Sequence, residues 1–334
     1  MERLTFGDKP MRKLLTLIFT AALAVACAGS PTPAPTAAPL THVKLAMGYI
    51  PDIQFAPFYV AEAKGYFAEQ GIEIEFVTMF ENDAVPLVGA NELQFANVSA
   101  EQIIQARAQG LPVVYVMKWW EQYPVAIASK AELGIKTPAD LAGRKVGLPG
   151  LYGASYIGWQ ALLNAEGLPD DAAQLESIGF TQAEAISAGT VDAAVVYANN
   201  EPVKLAAAGE QLNVIVVADY AQLASNGLVT NEQTIKFHPE LVKGMITAAL
   251  KGLADTIANP DEAVQLSLKH IDPAPDAAIA RKVLDASIEM WKTDSPGVSD
   301  KARWEVTHAV LLDMGLITSP IDLEQAFTNE FVKP

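Results

Sequence analysis

Residues 43–78 read VKLAMGYIPDIQFAPFYVAEAKGYFAEQGIEIEFVT, and this stretch decides the fold class. Its first eight residues alternate and are apolar enough to predict a β-strand. Apolar side chains at helical spacing then predict a helix that ends at Gly71. The stripe consists of Phe55, Phe58, Tyr59, Ala63 and Tyr66. Residues 72–80 predict a second strand, so the whole stretch indicates parallel strands joined by a crossover helix.

The alternation of strands and helices restarts once along the chain, which indicates two α/β lobes. Each lobe is predicted to be a mostly parallel sheet flanked by helices. We assign residues 43–128 and 228–334 to the first lobe, because the chain becomes largely helical after Pro239, and residues 129–227 to the second lobe. Ligands of open parallel sheets bind beyond the carboxyl ends of the strands, so the cleft between the lobes is the predicted binding site.

The composition of the 334-residue chain argues against several classes of function. Hydrophobic residues make up 51% and charged residues 19%, as expected of a globular protein. The formal net charge of -16 disfavours nucleic acid and anionic lipid as partners, because both are bound by clustered Lys and Arg. The only cysteine is Cys27, and the four histidines lack the spacing of metal ligands, so neither a metal nor a cofactor is expected.

Residues 1–27 resemble a bacterial lipoprotein signal. Arg12 and Lys13 precede an apolar stretch of 13 residues, which is too short to span a bilayer comfortably and ends in small residues at Cys27. Cys27 is therefore the predicted lipidation site, and the proline-rich residues 28–42 are predicted to form an extended tether. These features place the protein on the outer face of the cell membrane. The alternative is a plain secretory peptide in which the cysteine has no role.

Aromatic, amide and carboxylate side chains follow the predicted strands, at the edge that faces the cleft. In the first lobe they are Asp52, Gln54, Phe55, Asn97, Trp119, Trp120 and Glu121. In the second lobe they are Tyr152, Ser155, Tyr156, Tyr197, Asn199 and Glu201. Aromatic faces and amides suit a flat heterocycle that is held by stacking and by hydrogen bonds along its edge. No arginine lies in these loops, and anions usually require an arginine fork, so a neutral or weakly cationic ring is favoured.

The adjacent tryptophans Trp119 and Trp120 are the most unusual members of this set. Neighbouring side chains of a strand point to opposite faces, so the two indoles cannot both belong to one core layer. One indole is expected in the core, and the other is expected to line the cleft and to stack on the ligand. Tyr152 and Tyr197 can alternatively be packing residues between the lobes, and Glu201 can instead cap the helix that follows it.

Several segments of the chain resemble one family. They are residues 48–76, DLAGRKVGLPGLYGAS (140–155), GTVDAAVVY (189–197) and FTNEF (327–331). They are similar to the substrate-binding lipoproteins of ABC importers with the type II periplasmic-binding-protein fold, in the branch that includes thiamine-pyrimidine-precursor binders and riboflavin binders. The resemblance implies a monomer that clamps a small molecule between its lobes and delivers it to a membrane permease.

The resemblance leaves the identity of the ligand open. It implies stacking aromatics from one lobe and a polar or acidic group from the other, and the matching positions are Asp52, Gln54, Asn97, Tyr197 and Glu201. The tryptophan pair favours a ring system larger than a pyrimidine, so riboflavin is the expected ligand and a thiamine pyrimidine precursor is the alternative. An enzymatic relative that makes this pyrimidine carries a cysteine-rich iron motif. No cysteine follows the predicted signal here, so we expect a binding protein; a sensor domain stays open.

Overall fold

The computed structural model describes residues 39–332. The predicted signal peptide, the lipidation site Cys27 and most of the predicted tether lie outside the described residues. Within the described part of the chain, no helix combines the length and the apolar character that crossing a membrane requires.

Strands and helices alternate through much of the described chain. The strands in residues 39–332 are β1 (Thr41–Met47), β2 (Ile72–Thr78), β3 (Phe95–Val98), β4 (Val113–Lys118), β5 (Val125–Lys130), β6 (Lys145–Leu148), β7 (Gln174–Ser177), β8 (Ala193–Tyr197), β9 (Leu212–Val216) and β10 (Gly227–Asn231). The α-helices are α1 (Ala56–Ala63), α2 (Tyr66–Glu69), α3 (Glu81–Gly89), α4 (Ala100–Ala108), α5 (Gly153–Ala165), α6 (Gln182–Ala188), α7 (Glu201–Ala207), α8 (Glu232–Phe237), α9 (Pro239–Ala258), α10 (Pro260–Ser267), α11 (Ala277–Trp291) and α12 (Lys301–Asp313).

The strands form two sheets of five, and each sheet contains one reversed strand. The first sheet has the order β2-β1-β3-β10-β4, in which β1 runs parallel to β2 and β3, while β10 runs antiparallel to β3 and β4. The second has the order β7-β6-β8-β5-β9, in which β6 runs parallel to β7 and β8, while β5 runs antiparallel to β8 and β9. This confirms the predicted α/β architecture of two mostly parallel sheets.

The chain passes between the lobes twice, and the reversed strand of each sheet is the first strand after a passage. The predicted boundary at residue 128 divides β5, whereas the structure places all of Val125–Lys130 in the second sheet, because β5 pairs there with β8 and β9. Gly227 likewise begins β10 in the first sheet and not in the second lobe. Residues 119–124 and 220–226 therefore form the two connections that line the hinge side of the cleft.

The predicted helix that ends at Gly71 is present but interrupted. Gly65 has a φ of 75°, in the left-handed region that favours glycine, and it separates α1 from α2. A short 3-10 turn, Ile53–Phe55, precedes α1. The carboxylate of Asp52 caps this turn, because its Oδ1 accepts a hydrogen bond of 3.1 Å from the backbone N of Gln54. The turn holds Gln54 and Phe55 beyond the carboxyl end of β1 in the first sheet.

Both adjacent tryptophans belong to the core cluster that packs the first sheet against α1, α9 and α11. Trp119 is 5% exposed and Trp120 is 0% exposed, and their ring centroids lie 5.1 Å apart. The expectation that they would lie in separate layers was wrong. The reason is that β4 ends at Lys118, so the alternation of a strand no longer governs the two residues that follow it.

Candidate functional site

A cleft lies between the two sheets, beyond the carboxyl ends of their parallel strands. It holds about 770 Å³ of space, a figure that includes the part open to solvent. Eight of the thirteen predicted site residues line it: Gln54, Phe55, Asn97, Trp119, Tyr152, Ser155, Tyr197 and Glu201. The predicted strand ends therefore converge on one site, as the rule for open parallel sheets requires.

Three of the predicted residues lie behind the cleft wall in the first lobe. Asp52 caps the turn before α1 and forms an ion pair of 2.7 Å with Lys204. Trp120 is fully buried beneath Trp119. Glu121 contacts the ammonium of Lys118 and the guanidinium of Arg303. The structure thus assigns these three side chains structural partners and does not place them on the wall.

The remaining two predicted residues lie in or beside the second lobe but also away from the wall. Asn199 donates a hydrogen bond of 2.9 Å to Oγ of Ser287 on α11, so it joins the lobes at a point outside the cleft. Tyr156, on α5, accepts a hydrogen bond of 3.2 Å from Gln160 one turn later on the same helix. The helical geometry of α5 turns this ring away from the cleft, although Tyr152 and Ser155 reach it.

Trp119 does not offer the stacking face that the sequence predicts. Its ring stacks on Phe55 with centroids 5.4 Å apart and an interplanar angle of 26°, and it lies 5.9 Å from Trp291. The edge of Phe58 packs against it as well. Because only 5% of the side chain is exposed, a ligand cannot stack on this indole. Trp119 instead contributes only its small exposed fraction to the wall and packs against Phe55.

Three of the seven aromatic residues that line the cleft, Tyr49, Phe80 and Phe180, were not predicted from the sequence. Tyr49 and Phe80 project from the first lobe and meet Phe180 of the second lobe, with ring centroids 4.7 Å and 5.4 Å away. Phe80 also packs edge to face with Tyr152, with ring centroids 6.1 Å apart. The strand-end rule that selected Phe55 applies equally to Tyr49 and Phe180, which follow β1 and β7, so this signal was available in the sequence.

The polar groups of the wall include several buried atoms without a hydrogen-bond partner among the described residues. They are Oε1 of Gln54, Nδ2 and Oδ1 of Asn97, Nε1 of Trp119, Oε1 of Gln182 and Oδ1 of Asn200. Buried polar groups are nearly always paired, because an unpaired one forfeits its hydration without compensation. A set of unpaired donors and acceptors on residues that line one cleft is the arrangement expected of a ligand site.

Two carboxylates line the cleft, and neither lysine nor arginine does. Glu81 accepts hydrogen bonds from the backbone N of Ser99 at 3.2 Å and from Nδ2 of Asn226 at 3.2 Å, and burial raises the pKa of its carboxyl to about 7. Glu201 accepts from the hydroxyl of Tyr49 at 3.1 Å, and burial raises its pKa too. A cleft with acidic groups and no cation disfavours anionic ligands.

Contacts across the cleft hold the lobes together in this structure. The ion pair between Lys204 and Asp52 and the hydrogen bond from Tyr49 to Glu201 each join one lobe to the other. Asn226 connects both, because its Oδ1 accepts from the hydroxyl of Tyr197 at 3.3 Å while its Nδ2 donates to Glu81. The described residues contain no cluster of three or more His, Cys, Asp or Glu side chains suited to a metal ion.

Glycine at position 48 is required by the approach of two cleft residues. A Cβ there would lie 2.7 Å from Cγ of Glu81 and 3.2 Å from the backbone O of Asn97. The absence of a side chain thus allows Glu81 and Asn97 to converge directly after β1.

Comparison with known proteins identifies the group to which this chain is related. Residues 52–263 match the family described as NMT1/THI5 like. The chain belongs to this family. It is 41% identical to the riboflavin-binding protein RibY of Chloroflexus aurantiacus, over 96% of this chain and 97% of that protein. It is 28% identical to a formylaminopyrimidine-binding protein of Halalkalibacterium halodurans, over 87% of this chain and 90% of that protein. The predicted family is confirmed.

Solved structures confirm the fold. The periplasmic aliphatic sulphonate binding protein SsuA of Escherichia coli superposes with a TM-score of 0.70 at 15% identity, covering 86% of this chain and 92% of its own. The periplasmic nitrate-binding protein NrtA of Synechocystis PCC 6803 superposes with a TM-score of 0.69 at 14% identity, covering 87% of each chain. At such identities the likeness concerns the fold alone, and the chain has the two-lobed periplasmic-binding-protein fold.

Proposed function

We propose that this chain is the extracytoplasmic substrate-binding component of an ABC importer and that it binds riboflavin in the cleft between its lobes. The observation that carries the proposal is the wall itself, which combines aromatic rings and unpartnered amides with no cationic side chain. A flat, uncharged ring system with a polar edge is complementary to such a wall: the ring packs against the aromatic side chains, the polar edge pairs with the amides, and no cation is needed. The 41% identity to a riboflavin-binding protein, over nearly the whole of both chains, supports the flavin as the ring.

Fluorescence quenching of riboflavin by the purified protein tests this proposal directly. We expect saturable quenching with a one-to-one endpoint and a Kd in or below the micromolar range, which corresponds to about -8 kcal/mol or better. An alkanesulfonate and nitrate serve as anionic controls and should not displace the flavin, because the cleft offers them no cation. Quenching that does not saturate, or displacement by either anion, would contradict the proposal.

A thiamine pyrimidine precursor is the second candidate, and one observation favours it. The carboxylates of Glu81 and Glu201 line the cleft and are able to accept hydrogen bonds from an exocyclic amino group. The 28% identity to a formylaminopyrimidine-binding protein supports the same alternative. A competition experiment at equal concentrations separates the two candidates. The proposal requires that riboflavin displaces a bound formylaminopyrimidine and that a formylaminopyrimidine does not displace bound riboflavin.

We also propose that the protein binds its ligand and does not transform it. More distant relatives include a protein of Legionella pneumophila named 4-amino-5-hydroxymethyl-2-methylpyrimidine phosphate synthase, at 24% identity over 87% of this chain and 92% of that protein. The sequence supports binding, because its only cysteine is Cys27 and a cysteine-rich iron motif is therefore lacking. Riboflavin recovered after prolonged incubation should have an unchanged mass and chromatographic retention; a new product would revive an enzymatic function.

The site of action is proposed to be the outer face of the cell membrane, through a lipid on Cys27 and the proline-rich residues 28–42. The basic residues and the apolar stretch before this cysteine support the proposal. Cells that produce the protein should retain it in the membrane fraction, and Cys27→Ser should release it into the soluble extracytoplasmic fraction. Release of both forms alike would contradict the anchor without touching the ligand proposal. We further propose that the protein is a monomer and that its permease binds the closed, liganded form.

A further inference from the structure

Asn97 occupies a position in the first sheet where an apolar side chain would be expected. In the register of the sheet it lies between Met47 of β1 and Leu228 of β10. Directly paired residues share one face, and Met47 and Leu228 are both buried in the core of that face. Asn97 is itself only 3% exposed, so an amide has been placed in a row of buried apolar side chains.

Neither end of this amide has a hydrogen-bond partner among the described residues. Both Nδ2 and Oδ1 are buried without one, whereas Asn226 and Asn231 use their amides in hydrogen bonds. An unpaired buried amide destabilises the folded protein, so its presence calls for a reason that lies outside the fold. Asn97 lines the cleft, and departures from local packing rules concentrate at functional sites.

We infer that Asn97 recognises the imide edge of the flavin ring, an inference that rests on the proposed function. A primary amide presents one donor and one acceptor side by side. The imide edge of an isoalloxazine presents the N3–H donor beside a carbonyl acceptor. The two edges form a cyclic pair, in which Nδ2 of Asn97 donates to the carbonyl and N3–H donates to Oδ1. This pairing satisfies both orphan atoms at once, so Asn97 determines which ring edges the cleft accepts.

The remaining unpartnered wall atoms can each only accept or only donate hydrogen bonds. Oε1 of Gln54, Oε1 of Gln182 and Oδ1 of Asn200 are acceptors, and Nε1 of Trp119 is a donor only. Asn97 is thus the wall residue whose donor and acceptor are both buried and both unpaired. The support behind it is rigid, because β3 is hydrogen-bonded on both sides, to β1 and to β10.

A double-mutant cycle on both partners tests the pairing. Riboflavin and N3-methylriboflavin, which lacks the N3–H donor, are titrated into the wild type, Asn97→Ala and Asn164→Ala. Asn164 is an exposed residue at the end of α5 and provides the matched asparagine control. We expect methylation to weaken binding to the wild type and to Asn164→Ala by about tenfold or more, and binding to Asn97→Ala by less than about threefold.

A thermal melt of the unliganded proteins distinguishes recognition from a structural role. Asn97→Ala removes no hydrogen bond between described residues, so its unliganded Tm should not fall clearly below that of the wild type. A strongly lowered Tm together with equal methylation penalties in all three proteins would overturn the inference. Equal penalties with an unchanged Tm would also overturn it, while leaving riboflavin as the ligand. Failure of the wild type to bind riboflavin at all would overturn the proposed function and the pairing together.

Discussion

The two walls of the cleft are built in different ways. Three side chains of the first-lobe wall, Phe55, Asn97 and Trp119, stand directly on a packed core and are each at most 5% exposed, whereas Tyr49 and Phe80 reach across the cleft. The aromatic side chains Tyr152 and Phe180 of the second-lobe wall make contacts that reach across the cleft. Tyr152 is 41% exposed, and Phe180 packs against aromatic rings of the first lobe. The buried first-lobe residues keep their positions through the core of their own lobe, whereas the positions of Tyr152 and Phe180 depend also on contacts with the opposite lobe.

This difference suggests that ligand recognition and closure of the cleft depend on different residues. Groups that must match a ligand edge benefit from a rigid support, because rigidity reduces the entropy lost on binding. Contacts that form only when the lobes meet stabilise the closed conformation relative to the open one. We therefore expect the buried first-lobe groups to match the ligand edge and the aromatic contacts across the cleft to stabilise its closed form. Substitution of a packed first-lobe aromatic ring should therefore lower stability, whereas substitution of a second-lobe aromatic ring should lower affinity without loss of stability.

The largest effect on stability is expected for Trp119→Ala. This indole packs against Phe55, Phe58, Trp120 and Trp291, so its removal leaves a large cavity in the core of the first lobe. We expect the free energy of unfolding to fall by roughly 3–5 kcal/mol, as for other buried aromatic residues. Urea denaturation followed by circular dichroism measures this change.

Tyr152→Ala is the matched substitution on the second-lobe wall. Because Tyr152 is 41% exposed, its removal should change the free energy of unfolding by less than about 1 kcal/mol. Similar losses of stability for both variants would remove the contrast between the walls. Riboflavin titrations of the same two proteins show whether Tyr152 acts on affinity alone.

The next effect concerns a buried carboxylate behind the first-lobe wall. Glu101 is fully buried, and neither of its oxygens has a hydrogen-bond partner among the described residues, whereas Glu201 of the second lobe accepts from Tyr49 and from the backbone N of Tyr197 at 3.0 Å. Burial, and secondarily the charge of Glu81, raises the pKa of Glu101 to about 8 from the ordinary value of 4.5. The folded state therefore retains a proton that the unfolded chain releases above about pH 4.5.

The sign of the resulting pH dependence follows from proton linkage. Between about pH 4.5 and 8 the folded state binds more protons, so the free energy of unfolding should decrease as the pH rises through this window. We expect a decrease on the order of 5 kcal/mol for the wild type and a clearly smaller one for Glu101→Gln. Some dependence should persist, because the pKa of Glu81 is raised to about 7 as well. The exposed Glu305→Gln serves as the control and should follow the wild type; a profile for Glu101→Gln identical to the wild type would refute the assignment.

Much of this fold could be predicted from the sequence, because its signals are local. The apolar alternation of residues 43–50 and the helical stripe from Phe55 to Tyr66 each depend only on near neighbours in the chain. The lobe boundary could not be predicted as well. Val125–Lys130 is a strand in either lobe by its own pattern, and only pairing with β8 and β9, more than 60 residues later, decides its sheet.

The site was predictable where a strand end alone decides the position, as for Gln54, Asn97 and Glu201. It was not predictable where tertiary packing decides the direction of a side chain. Trp119 and Trp120 both turn into the core once β4 has ended, and no periodicity applies to such a segment. Asn226 was missed because its role depends on bonds to both lobes from a connection without regular structure.

The sharpest test of the contrast is Phe180→Ala on the second-lobe wall. Its ring meets Tyr49 and Phe80 across the cleft, and each aromatic pair of this kind contributes about 0.5–1.5 kcal/mol. We expect riboflavin affinity to fall by about tenfold, with the unliganded Tm unchanged, because these contacts stabilise closure and not the lobe itself. Phe237→Ala removes an equally large ring that is 61% exposed on α8 and should leave the affinity unchanged. Small-angle scattering of the liganded proteins should show a larger radius of gyration for Phe180→Ala than for Phe237→Ala. Equal radii and equal affinities would mean that the aromatic contacts across the cleft do not drive its closure.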